Sequence, residues 1–217
     1  MVRVGPKGGK MVLNLTKTTD PILHTRLKQF DFSDESIDRV ELVNNLIETM
    51  IHHKGIGLSA NQCGLPHRVF VAHSNPTLVM FNPKIVDETV EQVKLDEGCV
   101  SYPNLFLPIK RAKVIKVRFQ DINGEVHTEK YIGMTARVIQ HELDHLNGID
   151  YTRRANKIHL ERAMNQKKIL DRQLKRLRGL GRDVRDIPVR PTGASIEGEL
   201  SGGSHPSKGS VAVQTKV

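Results

Sequence analysis

The 217-residue chain has no Trp, only 4% aromatic residues and only two cysteines, Cys63 and Cys99. Its core must therefore be mostly aliphatic. Two cysteines allow at most one disulfide, which excludes a disulfide-stapled scaffold. No apolar run approaches the ~20 residues that a membrane-spanning helix needs; the longest are of the size of Leu78–Phe81. The opening residues MVRVGPKGGK are basic, but no apolar stretch follows them, which argues against a secretory signal. These absences lead to the expectation of a soluble, cytoplasmic protein of a reducing compartment, without a membrane segment.

Of the net charge of +9, +8 falls in one segment. Residues 1–152 hold 18 basic and 18 acidic residues, whereas residues 153–178 hold ten basic against Glu161 and Asp171. Such a block is either a solvated helix face or an electrostatic contact with nucleic acid or another anionic surface.

Apolar residues at Ile37, Val40, Val43, Ile47 and Met50/Ile51 predict an amphipathic helix over 37–54. Asp34, Glu35 and Ser36 suit its start and Gly55 its end. Short runs with strand character follow at 68–73, 77–81, 91–95, 114–120 and 126–132. Turn signals at Asn75-Pro76, Asn82-Pro83 and Asn123-Gly124 separate them. A second helix is expected over 133–146, stopping at Asn147-Gly148. A third, basic helix is expected over 153–178, with Leu160, Ala163/Met164, Leu170, Leu174 and Leu177 as its apolar stripe. Strands without regular strand–helix alternation predict an α+β fold. Residues 1–10 read as a flexible extension, 11–178 as the domain and 179–217 as a disordered tail. The tail's last 30 residues hold 13 Gly, Ser or Pro, too polar a composition to offset backbone ordering.

The chemistry concentrates in His141-Glu142-Leu143-Asp144-His145. On a helix, two histidines four residues apart share one face and can grip one metal ion, with the glutamate between them placed over the solvent that the ion activates. Two half-exposed helical histidines are the bland alternative. A catalytic site needs a third protein ligand. The extended HExxHxxGxxH pattern fails because its third position is Tyr151. Glu161 is a weak candidate within the basic stretch, better suited to pairing with Lys157 or Arg162. Cys99, where a strand ends in Glu97-Gly98-Cys99-Val100-Ser101, is the remaining candidate, against a buried structural thiol or a disulfide with Cys63. A Cys-His-His set suits Fe(II), Zn, Co or Ni. In GIGLSANQ at 55–62, the glycines permit close approach of a ligand to the backbone, and Gln62 offers an amide donor for an oxyanion.

These three elements, GIGLSANQ at 55–62, EGCVS at 97–101 and QHELDH at 140–145, occur in the order of the three signature motifs of the peptide deformylases, and residues 11–178 resemble that family. The resemblance implies an α+β fold with antiparallel or mixed strands around a central helix that carries HExxH. It implies Cys99, His141 and His145 as ligands of one divalent metal ion, Fe(II) natively, with Zn, Ni or Co able to substitute. Glu142 would be the general base and acid, and Gln62 with the Val100 N–H the oxyanion site. The reaction implied is hydrolytic removal of the N-formyl group from nascent formyl-methionine polypeptides, releasing formate. By analogy, the peptide would add as a strand against Ile56, Gly57 and Gly98, with Met134 and Val138 in the methionine pocket.

Ser59, Phe106 and Arg137 depart from the common family pattern, Arg137 at a position where an apolar residue often lines the pocket. Asp144 would pair with Arg111 as support for the metal helix. Competing readings are a HExxH peptidase, which would not need Cys99, and a ribosome- or RNA-binding module with a vestigial metal site. The basic helix would in either case offer a ribosome contact. A monomer is expected.

Overall fold

The computed structural model describes residues 11–179. The expectations for residues 1–10 and for 180–217 lie outside these. The chain divides into two compact units, the second starting at Leu174; its described part is the end of one helix.

The first unit is α+β. Helix α1 (Arg39–His52) starts at Asp38, whose carboxylate accepts the Val40 and Glu41 N–H groups. The expected start at 34–36 is too early because the Asp34 carboxylate is taken by the Ser36 N–H and hydroxyl instead. Seven strands follow: β1 (Gly57–Ser59), β2 (Val69–Ala72), β3 (Leu78–Glu88), β4 (Gln92–Cys99), β5 (Tyr102–Ala112), β6 (Val114–Gln120) and β7 (Val126–Ile132). All pairings are antiparallel, in a five-stranded sheet of order β1-β2-β3-β6-β7 and a two-stranded β4-β5 hairpin.

Two strands escape the sequence pattern, and one turn signal misleads. β1 is only three residues long. β5 carries Pro103 and Pro108, yet Leu105, Leu107, Ile109 and Arg111 alternate inward along it. Proline is tolerated there because β5 pairs only with β4, leaving its other edge without ladder bonds. Asn82-Pro83 does not end β3; the strand continues through a bulge between Phe81 and Lys84. Asn82 stands at positive φ, and its amide ties Phe30 N and O and Gln120 to the bulge.

Helix α2 (Gly133–Leu146) follows β7 without an intervening loop. Gly133 makes that junction at φ 64°, a conformation that side chains disfavour. Every residue from Ala136 to Leu146 is buried, polar ones included. The helix packs against β1, β2, β5, β6 and β7. One apolar cluster joins Val138, Ile139 and Leu146 to Phe70, Met80 and Val117 of the sheet; another joins α1 to Leu58, Val71 and Phe81. Helix α3 (Lys157–Gly179) starts four residues later than the expected 153, because Tyr151–Arg154 form a separate 3-10 turn, and it contains no fully buried residue. Within the first unit, its Leu160 and Ala163 rest against the Leu105–Tyr151 cluster.

Candidate metal centre

Three donors converge from two elements. Cys99 ends β4, and His141 and His145 stand one turn apart on α2. One ligand atom from each lies within 4.8 Å of the others. Cys99 Sγ is 3.2 Å from His145 Nε2, and the two imidazole centroids are 5.0 Å apart. Both histidines are buried and Cys99 is half buried. Burial, and then the neighbouring His141, push the His145 pKa well below its usual range. At His141 burial is outweighed by Cys99 and Glu97, which raise its pKa to about 10, so a cation on this pair must displace the His141 proton. A thiol with two imidazoles fits a divalent transition metal and leaves a coordination position open.

The alternatives weighed for these positions do not fit. Both cysteines are free, so no disulfide joins Cys63 to Cys99. Burial pushes the Cys63 thiol up to about 12, making it an inert core group. Glu161 is exposed on α3, outside the group. Tyr151 is fully buried, its ring 5.5 Å from His141 and its hydroxyl donating to Leu105 O. A second group of possible ligands, Asp121, Glu125 and His127, lies at the β6–β7 turn. There Asp121 Oδ1 already accepts the Asn123 and Glu125 N–H groups.

Beneath the donors lies a buried ionic network. Glu97 Oε2 is 3.0 Å from His141 Nδ1. The same carboxylate accepts a two-pronged bond from Arg111, at 2.9 and 2.8 Å, and one from Arg137 at 2.6 Å. Burial alone would raise its pKa, but Arg111 and His141 outweigh burial and bring it down to about 2. An ionised carboxylate on Nδ1 fixes the imidazole tautomer that leaves Nε2 as a donor for metal. Asp144 is buried and pairs with Arg111 and with Arg154, so the Arg111–Asp144 pairing read from the sequence is present. Arg137 differs from expectation. It is buried and spent on Glu97, Ile109 O and Val93 O, so it lines no open pocket.

Glu142 is buried beside the donors, and Ser59 Oγ donates to its Oε2 at 2.7 Å. Burial pushes its pKa up, opposed by His141 and by the Ser59 hydrogen bond. A carboxyl group whose pKa is raised this way holds a proton more readily than an exposed glutamate, which suits a group that takes and returns one. Ser59 therefore has a definite job: its hydroxyl favours the charged carboxylate. Ser59→Ala removes that donor and should raise the Glu142 pKa further. The acid limb of the kcat/KM profile should move to higher pH, and an unmoved limb would refute the role.

Gln62 lies in the 3-10 turn Ala60–Cys63. Its Oε1 accepts the Ser59 N–H at 2.8 Å, which orients Nε2 toward Ser101 Oγ at 3.0 Å and Cys99 Sγ at 3.4 Å. Val100 follows Cys99 in the two-residue turn to β5. Gly57 explains itself by close approach: a Cβ there would lie 2.9 Å from both Glu142 Cδ and Val138 Cγ1. Ile56 precedes it, exposed, beside the edge strand β1. Gly98 is exposed, with the Phe106 ring against it. Met134 is half exposed on the first turn of α2, seven residues before His141, and Val138 is buried.

Sequence reasoning missed Glu97, although its place two residues before Cys99 on a strand is a usable signal for a shared face. The ionic partner of Arg137 carried no local signal, since it lies 40 residues away.

The polypeptide deformylase family model matches residues 12–161. The peptide deformylase of Thermotoga neapolitana is 42% identical over 131 residues, covering 60% of this chain and 79% of that protein. The crystal structure of Thermotoga maritima peptide deformylase matches with a TM-score of 0.64 at 38% identity, covering 67% of this chain and 98% of that one. The Met-Ala-Ser-bound class I type b peptide deformylase of Acinetobacter baumannii matches with a TM-score of 0.63 at 29% identity, covering 67% and 99%. The matched segment contains all three clustered donors, Glu142 and the carboxylates beneath them, and the chain belongs to the polypeptide deformylase family.

Proposed function

We propose that this chain removes the N-formyl group from nascent formyl-methionine polypeptides through one divalent metal ion on Cys99, His141 and His145. The observation that carries this reading is the Cys-His-His group with a buried carboxyl, Glu142, at its side. Fe(II) is the proposed native ion, with Zn, Ni or Co as substitutes; the soft thiolate ligand supports a transition metal over magnesium or calcium. Such an ion, when bound, lowers the pKa of solvent toward ~7 and polarises the carbonyl under attack.

The protein groups supply the rest. Glu142 takes a proton from the attacking solvent molecule and returns it to the departing amine, while Ser59 holds its carboxyl in place. Gln62 Nε2 and the Val100 N–H donate to the oxygen that gains charge on the formyl carbon. The edge position of β1 supports addition of an extended peptide beside Ile56 and Gly57, with Gly98 on the other side. Met134 and Val138 are the proposed walls of the methionine pocket. The Met-Ala-Ser complex of the Acinetobacter baumannii relative supports a peptide beginning with methionine as the ligand of this cleft.

Helix α2 serves as the central element of this domain, proposed to span 11–178 in a cytoplasmic monomer. No helix among the described residues is long and apolar enough to cross a membrane. Helix α3 is the proposed ribosome contact, supported by its exposed Lys168, Arg172, Lys175 and Arg176. Replacing these four by glutamine should abolish salt-sensitive co-sedimentation with ribosomes while sparing Leu160 and Ala163, which pack on the core. Unchanged co-sedimentation would refute the contact.

The decisive assay for the reaction is formate release from formyl-Met-Ala-Ser by anaerobically purified protein. Equal amounts of formate and free Met-Ala-Ser are expected. Cleavage between Met and Ala would instead support a peptidase.

A further inference from the structure

Three arginines are buried among the described residues: Arg68, Arg111 and Arg137. Two have carboxylates, Arg111 with Glu97 and Asp144, and Arg137 with Glu97. Arg68 has none among the described residues. Its guanidinium donates to Leu146 O at 2.9 Å, Pro83 O at 3.2 Å and Asn147 Oδ1 at 2.9 Å, all neutral acceptors. Burial, and then the neighbouring Arg26, depress its pKa, whereas the carboxylates of Arg111 overcome burial and raise that one. A buried cation without a counter-charge is unfavourable until something anionic completes it.

The surroundings supply room for such a group. Arg68 lines a cleft of about 620 Å³ together with Arg26, Lys28 and Lys84, and no carboxylate lines it. Arg118 stands directly across from Lys84 in the β3–β6 ladder and adds to the positive potential of that side. The volume is that of a small-molecule site. The cleft is separate from the metal centre: α2 contributes Leu143 to it, with Asn147 just beyond the helix, and neither His141 nor His145.

We propose that this cleft binds a small polyanion of the phosphate class, with a phosphoryl group seated on Arg68 and the mobile charges of Arg26, Lys28 and Lys84 closing over it. Nη2 is given to Pro83 O and Asn147 Oδ1, and one Nη1 hydrogen to Leu146 O. The guanidinium keeps its charge, its Nε–H and one Nη1–H for an anion, and lysines supply unoriented charge around it. Because Arg68 also holds Leu146 O and Asn147 at the end of α2, occupancy would anchor the exit of the helix that bears both histidines.

The test uses the metal-loaded full chain and inorganic pyrophosphate, titrated by calorimetry at constant ionic strength. Saturable binding is expected, and Arg26→Ala/Lys28→Ala/Lys84→Ala should weaken it by about tenfold or more. The control Lys94→Ala/Lys110→Ala/Lys130→Ala, an equal loss of charge outside the cleft, should change it by less than about twofold. Absence of saturation, or equal weakening by both triple variants, would overturn the proposal. So would pyrophosphate affinity untouched by the cleft variant, which would place binding at the metal. Formate release without added anion should be unchanged in the cleft variant, so failure here is distinguishable from failure of the deformylase reading.

Discussion

Replacing Glu142 by alanine is expected to lower kcat/KM for formyl-Met-Ala-Ser by on the order of 10²–10⁴-fold, the usual range for a positioned acid–base group. The upper end is expected because the same carboxyl serves two proton transfers, from the attacking solvent and to the leaving amine. Metal content should not fall, since Cys99, His141 and His145 are untouched. The alanine variant also removes the buried carboxylate that accepts the Ser59 hydroxyl, although that hydroxyl keeps the residue-142 carbonyl as an acceptor at 3.0 Å. Glu142→Gln separates the two effects. Its amide oxygen can still accept from Ser59, so stability should stay near wild type while activity falls as far as in the alanine variant. A glutamine variant within tenfold of the wild-type rate would refute the proton-transfer role.

The largest structural effect is expected at Glu97. Its carboxylate pairs with two buried guanidiniums and orients His141. Glu97→Ala would strand Arg137 without a carboxylate and leave Arg111 with Asp144 alone. Removing one partner of a buried ion pair costs about 3–5 kcal/mol, mostly as the penalty of the charge left behind. For a chain of this size each kcal/mol corresponds to roughly 2–4 °C, so Tm should fall by about 10 °C or more. Loss of the His141 partner should independently weaken metal affinity by roughly 10–100-fold, the usual cost of removing a group that orients a ligand. Thermal melts with and without metal separate the two contributions. A melting temperature within 2 °C of wild type would show that the network relaxes without Glu97.

The parts legible in the sequence were those with local signatures. The α2 helix lies over 133–146 as expected, stopping at Asn147 with Gly148 at positive φ just beyond it. The β6–β7 hairpin follows from Asn123-Gly124 between alternating runs. Cys99, His141 and His145 could be listed from donor chemistry, yet their convergence depends on a β4–α2 approach across 42 residues, which no local pattern encodes. β5 was hidden because its prolines contradict strand propensity, and only its unpaired edge makes them harmless. Arg137 was misjudged for a related reason: a charged residue on a helix that packs on every side looks like an intruder until Glu97 is found. Burial of all of Ala136–Leu146 required those distant partners, since buried polar groups must find hydrogen bonds.

X-ray absorption at the zinc edge of the zinc-loaded protein tests the central claim most directly. One sulfur at ~2.3 Å and two imidazole nitrogens at ~2.0–2.1 Å are expected, with the sulfur contribution lost in Cys99→Ser. A first shell of nitrogen and oxygen only in the unmodified protein would contradict the account.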